Sequence, residues 1–150
     1  MGRVVAAKRE ARTDHVRAIE LTSAVSSVPH ARHVVADDLK HSGLPASVIE
    51  NALIVVTELV TNAILHAQPI RSGDLPPAVG LKWTVVDDRI MINVTDGGGP
   101  ERPQLRQPGS ADDDGRGLSI VDAVALEWGV DSEPGRVSVH ALVGPWNPSP

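Results

Sequence analysis

The chain contains no cysteine, no phenylalanine and no tyrosine. The first absence excludes disulfides, thiolate metal sites and thiol nucleophiles. The other two leave Trp83, Trp128 and Trp146 as the only aromatic residues, so Val, Leu, Ile and Ala must fill any core. Scarce aromatics also leave few platforms for stacking bases. With a formal net charge of −5 and no basic stripe, direct nucleic-acid binding is not expected. No signal-peptide pattern and no apolar run of membrane-spanning length stands out, which predicts a cytoplasmic chain without a membrane partner. At 150 residues the chain is sized for one domain. A domain of that length buries roughly 70% of the surface its unfolded chain exposes.

Residues 1–14 are polar, basic and aperiodic, and read as a flexible arm. His15 to Leu21 suits a strand. Ser26, Ser27 and Pro29 mark a helix start, and that helix runs to about His41, before Gly43. A second helix spans about Pro45 to Ala67, with Ile49, Leu53, Val56, Val60, Ala63, Ile64 and Ala67 at helical spacing. Val79 to Val86 and Arg89 to Thr95 alternate around Asp87-Asp88, the pattern of an antiparallel hairpin. Residues 97–116 are rich in Gly, Pro and Asp, and a loop of that length inside a compact domain is usually functional. A third helix is expected from Gly117 to about Glu127. Strands at Gly129 to Asp131 and Val137 to Val143 follow, and 144–150 form a loose tail. This order predicts an α/β protein, a two-layer α/β sandwich in which a mixed sheet carries three helices on one face.

Chemistry concentrates in three segments, Glu58 to Ala67 (ELVTNAILHA), Val94 to Pro100 (VTDGGGP) and Gly115 to Val121 (GRGLSIV). In the first, Glu58, Asn62 and His66 share one helical face. A carboxylate there can act as general base, and an amide oxygen suits Mg²⁺ held jointly with phosphates. Thr57, Thr61 and Asn62 are poorer helix formers than a purely solvated face would use. His66 is either a phosphate contact or a polar cap on the last turn. In the second segment, Asp96 ends a strand and is placed to accept a hydrogen bond from an adenine amino group. The glycines after it let the backbone approach a flat base. In the third, Gly115 and Gly117 open a helix whose free N–H groups can hold anions, with Arg116 in reach of phosphate.

Each segment alone also has a bland reading: a solvated helix face, an Asp-Gly turn, a glycine turn opening a helix. Other ligand motifs fail outright. No glycine run leads to Lys-Ser or Lys-Thr as a P-loop needs, Ile120 stands where a dinucleotide fingerprint needs glycine, and Val121 where a calcium loop needs Glu. His30 and His33 lie three apart on the first helix with no third metal ligand in view.

Taken in order, the three segments resemble those of the GHKL superfamily of ATPase domains, and most nearly the anti-sigma-factor serine/threonine kinases related to RsbW and SpoIIAB. ELVTNA looks like the N-box, VTDGGGP like the adenine box, and GRGLSIVDAVALEWGV like the phosphate box with its following helix; Ala31-Arg32 also fits. The resemblance covers about Val28 to Val143. It implies a Bergerat-type ATP-binding fold with ATP and Mg²⁺ as cofactors. It assigns Glu58 as base, Asn62 as Mg²⁺ ligand, Asp96 as adenine reader with Gly98 beside it, and Gly115, Gly117 and Leu118 as holders of the triphosphate. Residues 99–114 would form a lid. The implied partners are a sigma factor and a STAS-type anti-anti-sigma protein phosphorylated on Ser or Thr, and relatives pair as homodimers. The chain departs from the pattern at Pro100, where many relatives have glycine. It departs again at Val137 and Val139, where a Thr near the adenine and a Trp are usual.

Three functions compete. An ATP-dependent protein kinase is favoured by Glu58 and Asn62 together. A nucleotide-sensing binding module without transfer activity is favoured by Val137. A detached histidine-kinase catalytic domain fits least, because there is no helical hairpin carrying a phosphoacceptor histidine.

Overall fold

The computed structural model describes residues 16–98 and 116–146, with Arg116 and Gly117 described by their backbone alone. The expected arm, the lid, Gly115 and residues 147–150 lie outside the described residues.

The described elements are β1 (Val16–Thr22), α1 (Ser27–Leu39), α2 (Ala46–His66), β2 (Ala78–Val86), β3 (Arg89–Asp96), α3 (Arg116–Val124), β4 (Glu127–Glu133) and β5 (Arg136–Val143). The strands form one sheet in the order β1-β2-β3-β5-β4. All neighbouring pairs are antiparallel, so the sheet is not the mixed one that the element order suggests. The reason is topological. The crossover through α3 brings β4 back parallel to β3, but the tight Glu133–Arg136 hairpin then inserts β5 between them.

The alternation read from the sequence sets the two faces. Ile90, Ile92, Val94 and Asp96 of β3 are buried, as are Val137, Val139, Ala141 and Val143 of β5 and Val79, Leu81 and Trp83 of β2. The three helices cover this face. α2 lies at the centre, touching β2, β3, β5 and both other helices. It buries Val48, Ala52, Val55, Val56, Leu59, Val60 and Ala63. At roughly 1.5–3 kcal/mol for each fully buried Val or Leu side chain, this stripe is the largest single contribution to the core. α2 also contradicts one expectation. By length and composition Ala46–His66 is apolar enough to cross a membrane, with a mean hydropathy of 1.7. Uninterrupted runs miss this because Glu50, Asn51, Glu58 and Asn62 break them. Here the stripe packs against the sheet, and α2 is a core helix.

The helix ends differ from expectation by a few residues. α1 stops at Leu39, whose carbonyl accepts from both the Ser42 N–H (3.1 Å) and the Ser42 hydroxyl (2.7 Å). α3 stops at Val124, because Leu126 already donates to Leu142 O at 2.8 Å and begins the sheet. Trp128, expected at the end of this helix, is therefore on β4, where its indole N–H donates to Asp122 of α3 at 2.8 Å.

At the end of the sheet near the β2–β3 turn, Asp38 of α1 ties the helix layer to two strands. It accepts from the Trp83 indole N–H at 2.7 Å and pairs with Arg17 Nε at 3.3 Å. Trp83 is 2% exposed, so removing its acceptor strands a buried donor. Asp38→Ala should lower stability by roughly 1–3 kcal/mol in urea unfolding, and Asp38→Asn, which keeps an acceptor, by less.

Candidate functional site

Asp96 closes β3 with its side chain on the helix-covered face. It is 3% exposed, while its neighbours along that face are apolar. Oδ1 accepts the Gly98 N–H at 2.6 Å, a short charge-assisted bond. Burial pushes the carboxyl up to about 6, against which the Gly98 N–H pulls down. The folded chain thus holds this proton more tightly than the unfolded chain does. The associated stabilisation is complete below the unfolded value of 3.8 and is lost as pH rises through about 6.

Val137 lies directly across from Asp96 in the β3–β5 register. A Cβ built on Gly98 would meet Val137 Cγ2 at 3.5 Å, and Gly98 itself needs its freedom at φ +83°. Beside the carboxylate, then, this strand presents a methyl group rather than a hydroxyl.

Glu58 and Asn62 are both partly buried and lie one turn apart on α2. Arg32 of α1 donates to Thr57 Oγ1 at 3.4 Å, which puts α1 on the Thr57 side of the helix. Glu58 and Asn62 sit on the opposite border of the buried stripe, the flank left for α3. His66 is exposed in the last turn, where its charged form suits the helix dipole.

Part of the segment expected to hold phosphate opens α3. Leu118 is 1% exposed and belongs to the core with Val121 and Ala125. Only its backbone N–H, among the first four of α3 and so without an intrahelical partner, can serve an anion. Gly117 shares that first turn and Arg116 begins it; Gly115 lies outside the described residues.

Sequence reading missed the connection between the first two segments. The chain leaving α2 passes directly over the end of β3. Gly97 N–H donates to Gln68 O at 2.7 Å, and Gln68 N–H donates to Gly98 O at 2.8 Å. Ile70 then bridges Ala78 at the start of β2. The closeness of Gly97 to Pro69 is a product of the fold that the sequence does not display.

Among the described residues no group of three or more His, Asp or Glu side chains could hold a metal ion alone. The donors present fit Mg²⁺ in another way. Asn62 offers one hard oxygen, and Mg²⁺ usually takes one or two protein ligands, with phosphates and waters completing its shell.

A buried carboxylate at a strand end and a carboxylate and amide on the central helix are thus carried by an α/β sandwich. Residues 21–141 match the profile of the histidine kinase-like ATPase domain, and the chain belongs to that family of ATP-binding domains. No curated protein matches it. Among solved structures it is similar to the RsbU and RsbW domains of Rv1364c from Mycobacterium tuberculosis, with 17% identity and a TM-score of 0.64. That match covers 86% of this chain and 32% of the other, so this chain spans about a third of its length. It is similar also to the SiaB-SiaC complex from Pseudomonas aeruginosa, with 13% identity, a TM-score of 0.65, and coverage of 95% of this chain and 98% of that one. These likenesses show the same fold.

Ionising Asp96 costs about 3 kcal/mol more in the folded chain than in the unfolded one. Without nucleotide, Asp96→Asn should therefore gain stability relative to wild type between pH about 4 and about 7. Denaturant unfolding across that range checks this, and a constant difference would mean that Asp96 does not carry the titration.

Proposed function

We propose that this domain is an ATP-dependent protein serine/threonine kinase of the partner-switching kind. It would transfer the γ-phosphoryl group to a STAS-type anti-anti-sigma protein and hold a sigma factor in the alternative complex. The observation that carries the nucleotide part is Asp96, a carboxylate buried among apolar side chains at the mouth of the helix-covered layer. A buried carboxylate gains most from a ligand that brings its own donor, and the adenine amino group is such a donor. The partner part draws on likeness. The relatives are an RsbW domain in a protein that also carries RsbU, and a SiaB that was solved with SiaC.

In this reading Asp96 accepts from adenine, and the first-turn N–H groups of α3 from Gly117 to Leu118 hold phosphate oxygens, with Arg116 beside them. His66 stands at the end of α2 as a further polar group near the phosphates. Asn62 would hold Mg²⁺, which when bound neutralises charge between the phosphates. Glu58 takes the proton of the attacking Ser or Thr hydroxyl. The new bond joins that oxygen to the γ-phosphorus, the bond from the γ-phosphorus to the bridging oxygen breaks, and ADP leaves with the electron pair. Such a transfer needs chiefly positioning and charge stabilisation. Cytoplasmic location and a homodimeric state belong to the same proposal.

Val137 supports a second reading, a domain that senses nucleotide and sequesters a partner without transfer. It puts an apolar side chain beside the base reader, where a hydroxyl would add a hydrogen bond worth roughly 0.5–1.5 kcal/mol.

Glu58→Gln should abolish phosphorylation of a partner while leaving ATP affinity within about twofold in calorimetry. Comparable transfer by that variant would remove Glu58 from the role of base, and absence of transfer by wild type would favour the second reading. ATP affinity should be level above pH about 7 and weaken below about 6, as protons compete for the Asp96 carboxylate; Asp96→Asn should lose adenine preference and this pH dependence together.

A further inference from the structure

We infer that the segment Gln68–Ile70 is a strap that fixes where the base reader sits, so that Gln68 and Gly97 are positioning residues for adenine specificity. This rests on the adenine role proposed for Asp96.

The geometry is a closed set of backbone bonds. Gln68 uses both its main-chain groups on the adenine loop, accepting from Gly97 at 2.7 Å and donating to Gly98 at 2.8 Å. Gly98 in turn donates to the Asp96 carboxylate at 2.6 Å. Gly98 is thus held through its carbonyl by the strap and through its N–H by the carboxylate. Beyond Pro69 the strap is anchored to β2, where Ile70 and Ala78 exchange bonds of 2.7 and 3.0 Å. On its other side it follows α2, only a few residues after Asn62 and His66. The strap therefore sets the distance between the base reader on β3 and the polar groups on α2.

Gly97 is required by this contact rather than by its own backbone, since its φ is not positive. A Cβ there would collide with the Pro69 carbonyl oxygen and lie 2.9 Å from the Pro69 carbonyl carbon and 3.1 Å from Gln68 O. Backbone atoms cannot swing aside as the end of a flexible side chain can. Any other residue at 97 must push the strap away from the loop.

The consequence is selective. Moving Asp96 by a fraction of an ångström degrades the bond to the base, while the α3 helix mouth that would hold the phosphates is a separate element. Strap variants should therefore lose discrimination between bases more than grip on the triphosphate.

The test is calorimetric titration of wild type, Gly97→Ala, Gln68→Pro and Gln68→Ala with ATP and with GTP. Gln68→Pro deletes one strap N–H, and the preceding residue Ala67 is already extended at φ −123° and ψ 170°, as a proline requires. Gln68→Ala keeps the whole backbone. Gly97→Ala and Gln68→Pro should each weaken ATP by about tenfold or more and leave GTP within about twofold, with Gln68→Ala like wild type. Equal losses for both nucleotides, or no loss, would overturn the strap. A second measurement does not depend on nucleotide or on variants that fold. In free wild type, the Gly97 and Gln68 amides should exchange with solvent at least about tenfold more slowly than unprotected amides; unprotected exchange at both would also overturn it. Wild type that is protected there yet binds ATP and GTP alike would overturn the role in specificity together with the adenine role of Asp96.

Discussion

Everything in this domain depends on how α2 is buried. One long helix packs its Val, Leu and Ala stripe against the central strands and carries α1 on one flank and α3 on the other. With Phe and Tyr absent from the chain, Trp83 is the one fully buried aromatic among the described residues. Many medium-sized contacts along one helix hold the layers together. The polar positions Glu58 and Asn62 are placed by that packing. They border the stripe, so the forces that bury Leu59 and Ala63 also aim the carboxylate and the amide toward the α3 side.

Burial of Asp96 works against this core and is tolerated only because of local backbone geometry. An ionised carboxylate enclosed by Val94, Val137 and Val139 would be expelled or neutralised without donors. The Gly98 N–H is one donor, and the upward displacement of the carboxyl to about 6 shows that it compensates only in part. The deficit makes the site receptive. A ligand supplying a further donor relieves a cost that the folded chain already bears, which is how a small domain can turn stability into binding selectivity.

The sequence displays some of these features and conceals others for physical reasons. α2 is legible as a helix because apolar residues repeat at helical spacing, although of the positions read as its stripe only Val56, Val60 and Ala63 are fully buried, and the β2–β3 hairpin is legible because strand alternation brackets Asp87-Asp88. Asp96 is legible as a strand end, because the alternation stops there and glycines follow, whereas its burial is not. The antiparallel character of the whole sheet is not, since it depends on β5 inserting between β3 and β4, which no local pattern encodes. The burial of Leu118 was readable in part: with Val121 and Ala125 it forms an apolar set at helical spacing. The strap is nearly invisible, because it consists of main-chain bonds, and main-chain groups are the same at every residue.

Specificity from so sparse a site needs an unusual degree of backbone control. On the covered face of β3 and β5, Asp96 is the one polar side chain in a row of Ile, Val and Ala. Val137, opposite it in register, has no hydroxyl to share the base reading proposed for Asp96. A single carboxylate distinguishes one base from another only if it cannot shift to accommodate the wrong one. Side-chain packing supplies part of that rigidity, but Asp96 is at the end of its strand, where the ladder of β-sheet bonds stops. The bonds from Gln68 to Gly97 and Gly98 extend backbone pairing beyond that point. They replace the missing ladder with a segment from the helix that also bears Glu58 and Asn62. In the proposed function, base recognition thus depends on these few backbone bonds, whereas the phosphates would rest on α3, a separate element.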